Sequence, residues 1–208
     1  MKFAGLSGGI GAGKSTVAAG LARRGAVVID VDRLSREIER PGEPVFDAIV
    51  ARWGPAILTP DGQIDRPALG RVVFADPAEL AVLTARITGP AIAAALVERA
   101  STYVDTDRVV VLEAAMLQGG DRCLYGMKGV AVVDAPIETA VRRLVDGRGM
   151  TESDARTRIA RQLDREERLR HADFVIDNSG PPEEVEPQVD AAWAWLLSLP
   201  DAVPVLDP

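Results

Sequence analysis

Of the 208 residues, one is cysteine, Cys123, and one is histidine, His171. A lone cysteine excludes an intramolecular disulfide. A chain with none suits a reducing cytosol, so a cytoplasmic location is expected. One His and one Cys cannot build a zinc constellation. Cys123 therefore reads as a buried filler, and His171 as a structural or surface residue. No run approaches 18 uncharged apolar residues, so no membrane span is expected. The start, MKFAGLSGGIGAGKS, lacks a charged segment followed by an apolar run and a small-residue cleavage site, so it does not read as a signal peptide. Lysine is scarce too: Lys2, Lys14 and Lys128 are the three among 24 cationic side chains. The net charge of -7 argues against nucleic acid as a partner.

What is present is an alternation of strands and helices. Residues 2–7, 26–30, 108–112, 129–134 and 173–177 read as short buried strands. Helices are expected over 14–24, over 33–53 with a break at Pro41-Gly42, and over 67–100 with a break at Gly89-Pro90. Further helices are expected over 136–147, from the Thr151 cap to about Arg170, and over 182–199. A strand–loop–helix–strand opening within about 30 residues implies parallel strands and an α/β fold. The expected layout is one domain over 1–200. It carries a helical substrate-side insertion at 34–100, a lid region at 142–170 and a disordered tail at 201–208.

Gly8-Gly9-Ile10-Gly11-Ala12-Gly13-Lys14-Ser15 matches G-x-x-x-x-G-K-[ST]. Glycines let the backbone curl so that several N–H groups face one anion, and the helix that follows adds the positive end of its dipole. In that reading residues 8–16, Thr16 included, bind the phosphates of a nucleotide. Lys14 reaches the β- and γ-phosphates, and the Ser15 hydroxyl faces Mg²⁺. A compact ammonium suits a tight loop that a guanidinium fork does not. By chance the pattern recurs in about one chain in a hundred of this length. Its place between a strand and a helix makes it specific.

Asp30 and Asp32 read as closing the second strand and Glu113 as closing the third. Carboxyl ends of parallel strands face the crevice that the phosphate loop also faces. A carboxylate there can orient a hydroxyl and take its proton, the role expected of Asp32. Glu113 could hold the Mg²⁺ shell through water. From Arg142 to Arg170 nine Arg face six Asp and Glu. Arg143 and Arg148 are the candidates for neutralising charge in phosphoryl transfer, with Gly147-Arg148-Gly149 as a hinge. Arg156, Arg158, Arg161, Arg165, Arg168 and Arg170 read as a solvated face.

These residues resemble the dephospho-coenzyme A kinase family. The likeness runs through Gly5 to Thr16, then Ile29-Asp30-Val31-Asp32 with Arg36 and Pro41-Gly42. It continues in Asp61-Gly62-Gln63-Ile64-Asp65-Arg66 with Leu69 and Val73-Phe74. It ends in Arg143-Leu144, Arg148, Gln162, Ala172-Asp173 and Asn178-Ser179-Gly180. The resemblance covers residues 4 to about 190. It implies a P-loop fold: five parallel strands flanked by helices, a lid, and a helical coenzyme A subdomain. It also implies ATP and Mg²⁺, Asp32 at the acceptor hydroxyl, Arg143 and Arg148 as lid arginines, and Asn178 near the adenine. The expected partner is a small-molecule substrate, with the chain a monomer or small homo-oligomer. Two acceptor-side blocks differ from the family pattern. Gly89-Pro90 stands where His-Pro is usual, and Ala115-Met116-Leu117-Gln118-Gly119 where Pro-Leu-Leu-x-Glu is usual. A related kinase with another hydroxyl acceptor, or an inactive nucleotide-binding protein, are the alternatives.

Overall fold

The computed structural model describes residues 1–115, 117 and 125–205. Cys123, the Met116, Gln118 and Gly119 of the divergent acceptor-side block, and residues 206–208 of the expected tail lie outside them.

In chain order the elements are β1 (Lys2–Gly8), α1 (Lys14–Arg23), β2 (Val27–Asp30), α2 (Val31–Ile38), α3 (Pro44–Trp53), α4 (Arg66–Val73), α5 (Pro77–Ala81) and α6 (Gly89–Ser101). There follow β3 (Val109–Glu113), β4 (Val130–Asp134), α7 (Ile137–Arg148), α8 (Glu152–Ala160), α9 (Arg165–Arg170), β5 (Phe174–Asp177) and α10 (Val185–Ser198). The contacts divide the chain into two units, Met1–Asp30 with Arg99–Pro208, and Val31–Glu98.

The first unit is built on a five-stranded sheet in the order β2-β3-β1-β4-β5, parallel at every pairing. Its strands are continuous apolar runs because helices cover both faces. Val109, Val110, Val111 and Leu112 of β3 and Val130, Ala131, Val132 and Val133 of β4 are all buried. Helices α1 and α10 pack on β1 through Val17, Leu21, Val189, Ala192 and Leu196. Trp195 stacks on Phe174 with ring centroids 5.2 Å apart. The segment expected to fray is held as far as it is described. Ala202 is buried, its N–H donates to the Met1 carbonyl at 3.0 Å, and Asp201 pairs with Lys2 at 3.1 Å.

Two helix readings are corrected. Helix α7 continues through Gly147 and Arg148, and only Gly149, at φ 63°, leaves it as a left-handed C-terminal cap. The expected Gly147–Gly149 hinge is therefore a helix end. The region from the Thr151 cap to Arg170 is two helices, α8 and α9, because Asp164 caps a fresh start by accepting from the Glu166 N–H.

The second unit packs Val45, Ile49, Ile57, Leu69 and Val73 into a small core. The block 61–66 has a local structural purpose here. A Leu58–Ile64 bridge closes a turn, and Asp65 caps α4 by accepting from the Ala68 N–H. Arg66 pairs at 2.7 Å with Glu39, whose side chain is 8% exposed. Instead of breaking at Gly89-Pro90, the helix runs from α5 through a π-helical stretch, Val82–Thr88, into α6. The Gly89 N–H donates to the Thr84 carbonyl, five residues back. Proline has no N–H and its ring crowds the carbonyl four residues earlier; the wider turn takes up that mismatch. A Cβ on Gly89 would overlap the Thr84 carbonyl oxygen. Joined in this way, Pro77–Ser101 spans 25 residues at a mean hydropathy of 1.8 over its most apolar window. It is long and apolar enough to cross a membrane by length and composition, which the sequence reading did not anticipate.

Candidate active site

The site starts where β1 ends. Residues 9–13 curl between β1 and α1, and the curl depends on two glycines. Gly11 has φ 77° and Gly13 has φ 96°, values that side-chain-bearing residues rarely adopt. Both are also crowded. A Cβ at Gly11 would stand 2.7 Å from the Ala140 carbonyl oxygen of α7, and one at Gly13 would overlap the Asn178 amide nitrogen. Helix α1 then begins at Lys14 with no side-chain cap and no acid in its first turn. Its N-terminal dipole is left for an anion, a phosphate being the fitting guest.

Asn178 and Arg143 hold this loop from behind. The buried Asn178 amide donates from Nδ2 to the Ala12 carbonyl at 2.7 Å. Arg143 of α7 donates from Nη1 to the Asn178 carbonyl at 2.9 Å and from Nη2 to the Gly180 carbonyl at 3.2 Å. A carbonyl facing inward must find a donor, at a cost of about 1–3 kcal/mol if it does not. Here the loop after β5 supplies it. Arg148, at the end of α7, is exposed.

The carboxyl edge of the sheet is acidic beyond the residues named from the sequence. Strand β1 ends in the phosphate loop, and each of the other four ends in an acid: Asp30, Glu113, Asp134 and Asp177. Asp30 and Glu113 are register partners, and Asp134 and Asp177 are another such pair. Asp32, read as closing β2, sits instead in the first turn of α2, with its side chain exposed. Asp134 and Asp177 were missed, although they close their strands as Asp30 closes β2. Asp177 is held below the usual carboxylate range, chiefly by the hydrogen bond from the Ser179 side chain.

Arg165 is exposed, as expected of a solvated face, but it is tied down, and Arg168 is half-buried. Arg165 donates from Nε to Asp134 at 2.9 Å and from Nη2 at 2.5 Å, which ties α9 to β4. The hydrogen bonds it donates to Asp134 hold the Arg165 guanidinium above its ordinary value. Arg168 lies against Gly9, and burial pushes its guanidinium down. Gln162, between α8 and α9, accepts the Ile10 N–H on Oε1 at 2.8 Å. Arg156 remains on the surface, paired with Glu138 and Glu152. His171 accompanies Glu167 at 3.1 Å.

Among the described residues no three His, Cys, Asp or Glu side chains cluster as a metal cage. The donor set suits Mg²⁺ in another way. This ion keeps several waters and takes one or two carboxylates together with substrate phosphates. Ser15 opens α1 while Asp30 and Glu113 close β2 and β3, and these are the residues that would hold such an ion.

A parallel 2-3-1-4-5 sheet with G-x-x-x-x-G-K-S between β1 and α1 defines the class: a P-loop kinase. The family model for dephospho-CoA kinase matches residues 2–184. A dephospho-CoA kinase of Streptomyces avermitilis is 50% identical over 194 residues, 93% of each chain. A solved structure from Thermus thermophilus superposes with a TM-score of 0.76 at 31% identity, covering 94% of this chain and 97% of that one. The Campylobacter jejuni dephospho-CoA kinase shares the fold at a TM-score of 0.67 and 23% identity, over 92% and 96% of the two chains. The chain belongs to the dephospho-CoA kinase family.

Proposed function

We propose that this chain transfers the γ-phosphate of ATP to the ribose 3′-hydroxyl of dephospho-CoA, giving CoA and ADP. The observation that carries the reading is the intact phosphate loop, Gly8 to Ser15, within a family match that runs over residues 2–184. In this reading the loop N–H groups and Lys14 bind the β- and γ-phosphates and spread their charge. Ser15 and Glu113 would hold the Mg²⁺. The ion supplies charge neutralisation between the phosphates when bound.

The acceptor oxygen attacks the γ-phosphorus as its proton passes to the Asp32 carboxylate. The new O–P bond forms, the bond from the γ-phosphorus to the bridging oxygen breaks, and ADP carries away the electron pair. Asn178 flanks the adenine. Arg143 acts from behind by holding the 178–180 segment, and Arg148 closes from the lid, residues 142–170. Residues 34–100 serve the acceptor side. The reaction runs in the cytoplasm on a monomer or small homo-oligomer.

The test is product mass. The chain is incubated with ATP, Mg²⁺ and dephospho-CoA, and CoA should form at a rate well above the ATPase background. ATP turnover without CoA would redirect the reading to another hydroxyl acceptor. Neither CoA nor ATP turnover would leave a nucleotide-binding protein.

A further inference from the structure

The phosphate loop is touched by two side chains from the α8–α9 segment, at consecutive residues. Gln162 takes the Ile10 N–H. One residue earlier, the Arg168 guanidinium lies flat on Gly9, where an added Cβ would stand 3.2, 3.3 and 3.4 Å from Nη1, Nη2 and Cζ. Gly9 is one of the unspecified positions of the loop motif, so a glycine there answers to Arg168.

Arg168 differs from its neighbour. Arg165 spends its charge on Asp134. Arg168 Nη1 is buried and has no hydrogen-bond partner among the described residues. A buried guanidinium N–H without an acceptor is costly and rare. Beside a loop shaped for an anion, the missing acceptor has the chemistry of a phosphate oxygen. The two groups share one cleft, lined by Gly9, Ile10, Asp134, Gln162, Arg165 and Arg168 among others.

We infer that Arg168 is a further catalytic residue. Its unpartnered Nη1 takes an oxygen of the terminal phosphate of the bound nucleotide, and Gln162, through the Ile10 N–H, positions the segment that carries it. The inference rests on ATP being the ligand of the loop. It adds a cation from α9 to the Lys14 of the motif, one that sequence reading placed on a solvated face.

The discriminating quantity is the preference for ATP over ADP, since the two differ by the terminal phosphate alone. Affinities for Mg-ATP and Mg-ADP are measured by calorimetry on the wild type and on Arg168→Met, with kcat from CoA formation. Arg168→Met should weaken ATP at least tenfold, leave ADP within twofold, and lower kcat at least a hundredfold. Equal weakening of both nucleotides, or an unchanged ATP:ADP ratio, overturns the inference and makes Arg168 a brace of the loop. Arg168→Gln keeps a hydrogen-bonding head without the charge. It carries the same expectations should the Met variant fail to fold. A wild type that binds no ATP overturns the functional reading itself, whereas ATP binding with an unchanged ratio in the variants overturns only the role of Arg168.

Discussion

The side-chain amide of Asn178 donates to the carbonyl of Ala12 at 2.7 Å, across 166 positions of the chain. This bond joins the loop after β5 to the middle of the phosphate loop. Asn178→Ala leaves the Ala12 carbonyl buried without its donor. A loss of about 1–3 kcal/mol in unfolding free energy is expected, with weaker ATP binding. Urea melts and an ATP titration on the same preparation check both. Unchanged melts and unchanged affinity would mean that the bond does not support the loop.

Gly13 cannot accept a side chain. Its φ of 96° and the nearness of Asn178 act together. Gly13→Ala should abolish detectable ATP binding while circular dichroism keeps its helical signal, because the strain is confined to the loop. Lys14→Met is the companion. It should fold as the wild type does and lose CoA formation by orders of magnitude.

Asp32 is assigned the acceptor's proton, so its effect belongs in kcat. Asp32→Asn should lower kcat by about 10²–10⁴ and leave the ATP dissociation constant nearly unchanged. Steady-state kinetics with both substrates varied decide it. Wild-type turnover in this variant removes Asp32 from the proton transfer.

Gly89→Ala tests the π-helical stretch. The added Cβ would overlap the Thr84 carbonyl, so the i→i−5 register must move to admit it. A lower melting temperature is expected, with ATP affinity unchanged. Differential scanning calorimetry and an ATP titration separate the two effects.

Stability should fall on the acid side. Hydrogen bonds hold five carboxylates down: Asp61 from Thr59, Asp177 from Ser179, Glu79 from Arg52, Glu138 from Arg156 and Glu186 from Arg24. Each folded value lies below the unfolded one, about 4. Their contribution is therefore complete above about pH 4 and is lost as pH falls through the folded values. Urea midpoints should be level from pH 7 to 5 as far as these groups decide, then drop below pH 4. A midpoint that holds between pH 4 and 3 would contradict this.

Much of the architecture was legible because it is written in local patterns. Apolar runs such as VVVL at 109–112 become parallel strands, for a sheet covered on both faces buries every side chain. The phosphate loop was legible because its chemistry depends on a few residues at fixed spacing. The break at Gly89-Pro90 was misread because a π turn costs one residue of register and leaves no mark in composition. Asp32 was placed at the strand end because a strand and the helix after it share a boundary that spacing does not resolve.

The sequence by itself determined the class of fold, the phosphate loop with Lys14 and Ser15, and two of the acids that close the strands, Asp30 and Glu113. These follow from residue type and neighbours along the chain. Only the tertiary structure decided which of the nine arginines between 142 and 170 serve the loop. Arg143 is bound to the carbonyls of residues 178 and 180, Arg165 to Asp134, and Arg156 to the surface acids Glu138 and Glu152. Arg168 alone is known to rest on Gly9 with a buried, unpartnered N–H. A guanidinium at the end of a long flexible stem takes its role from whatever the fold brings within reach, and residues 9 and 168 meet only when the sheet has formed.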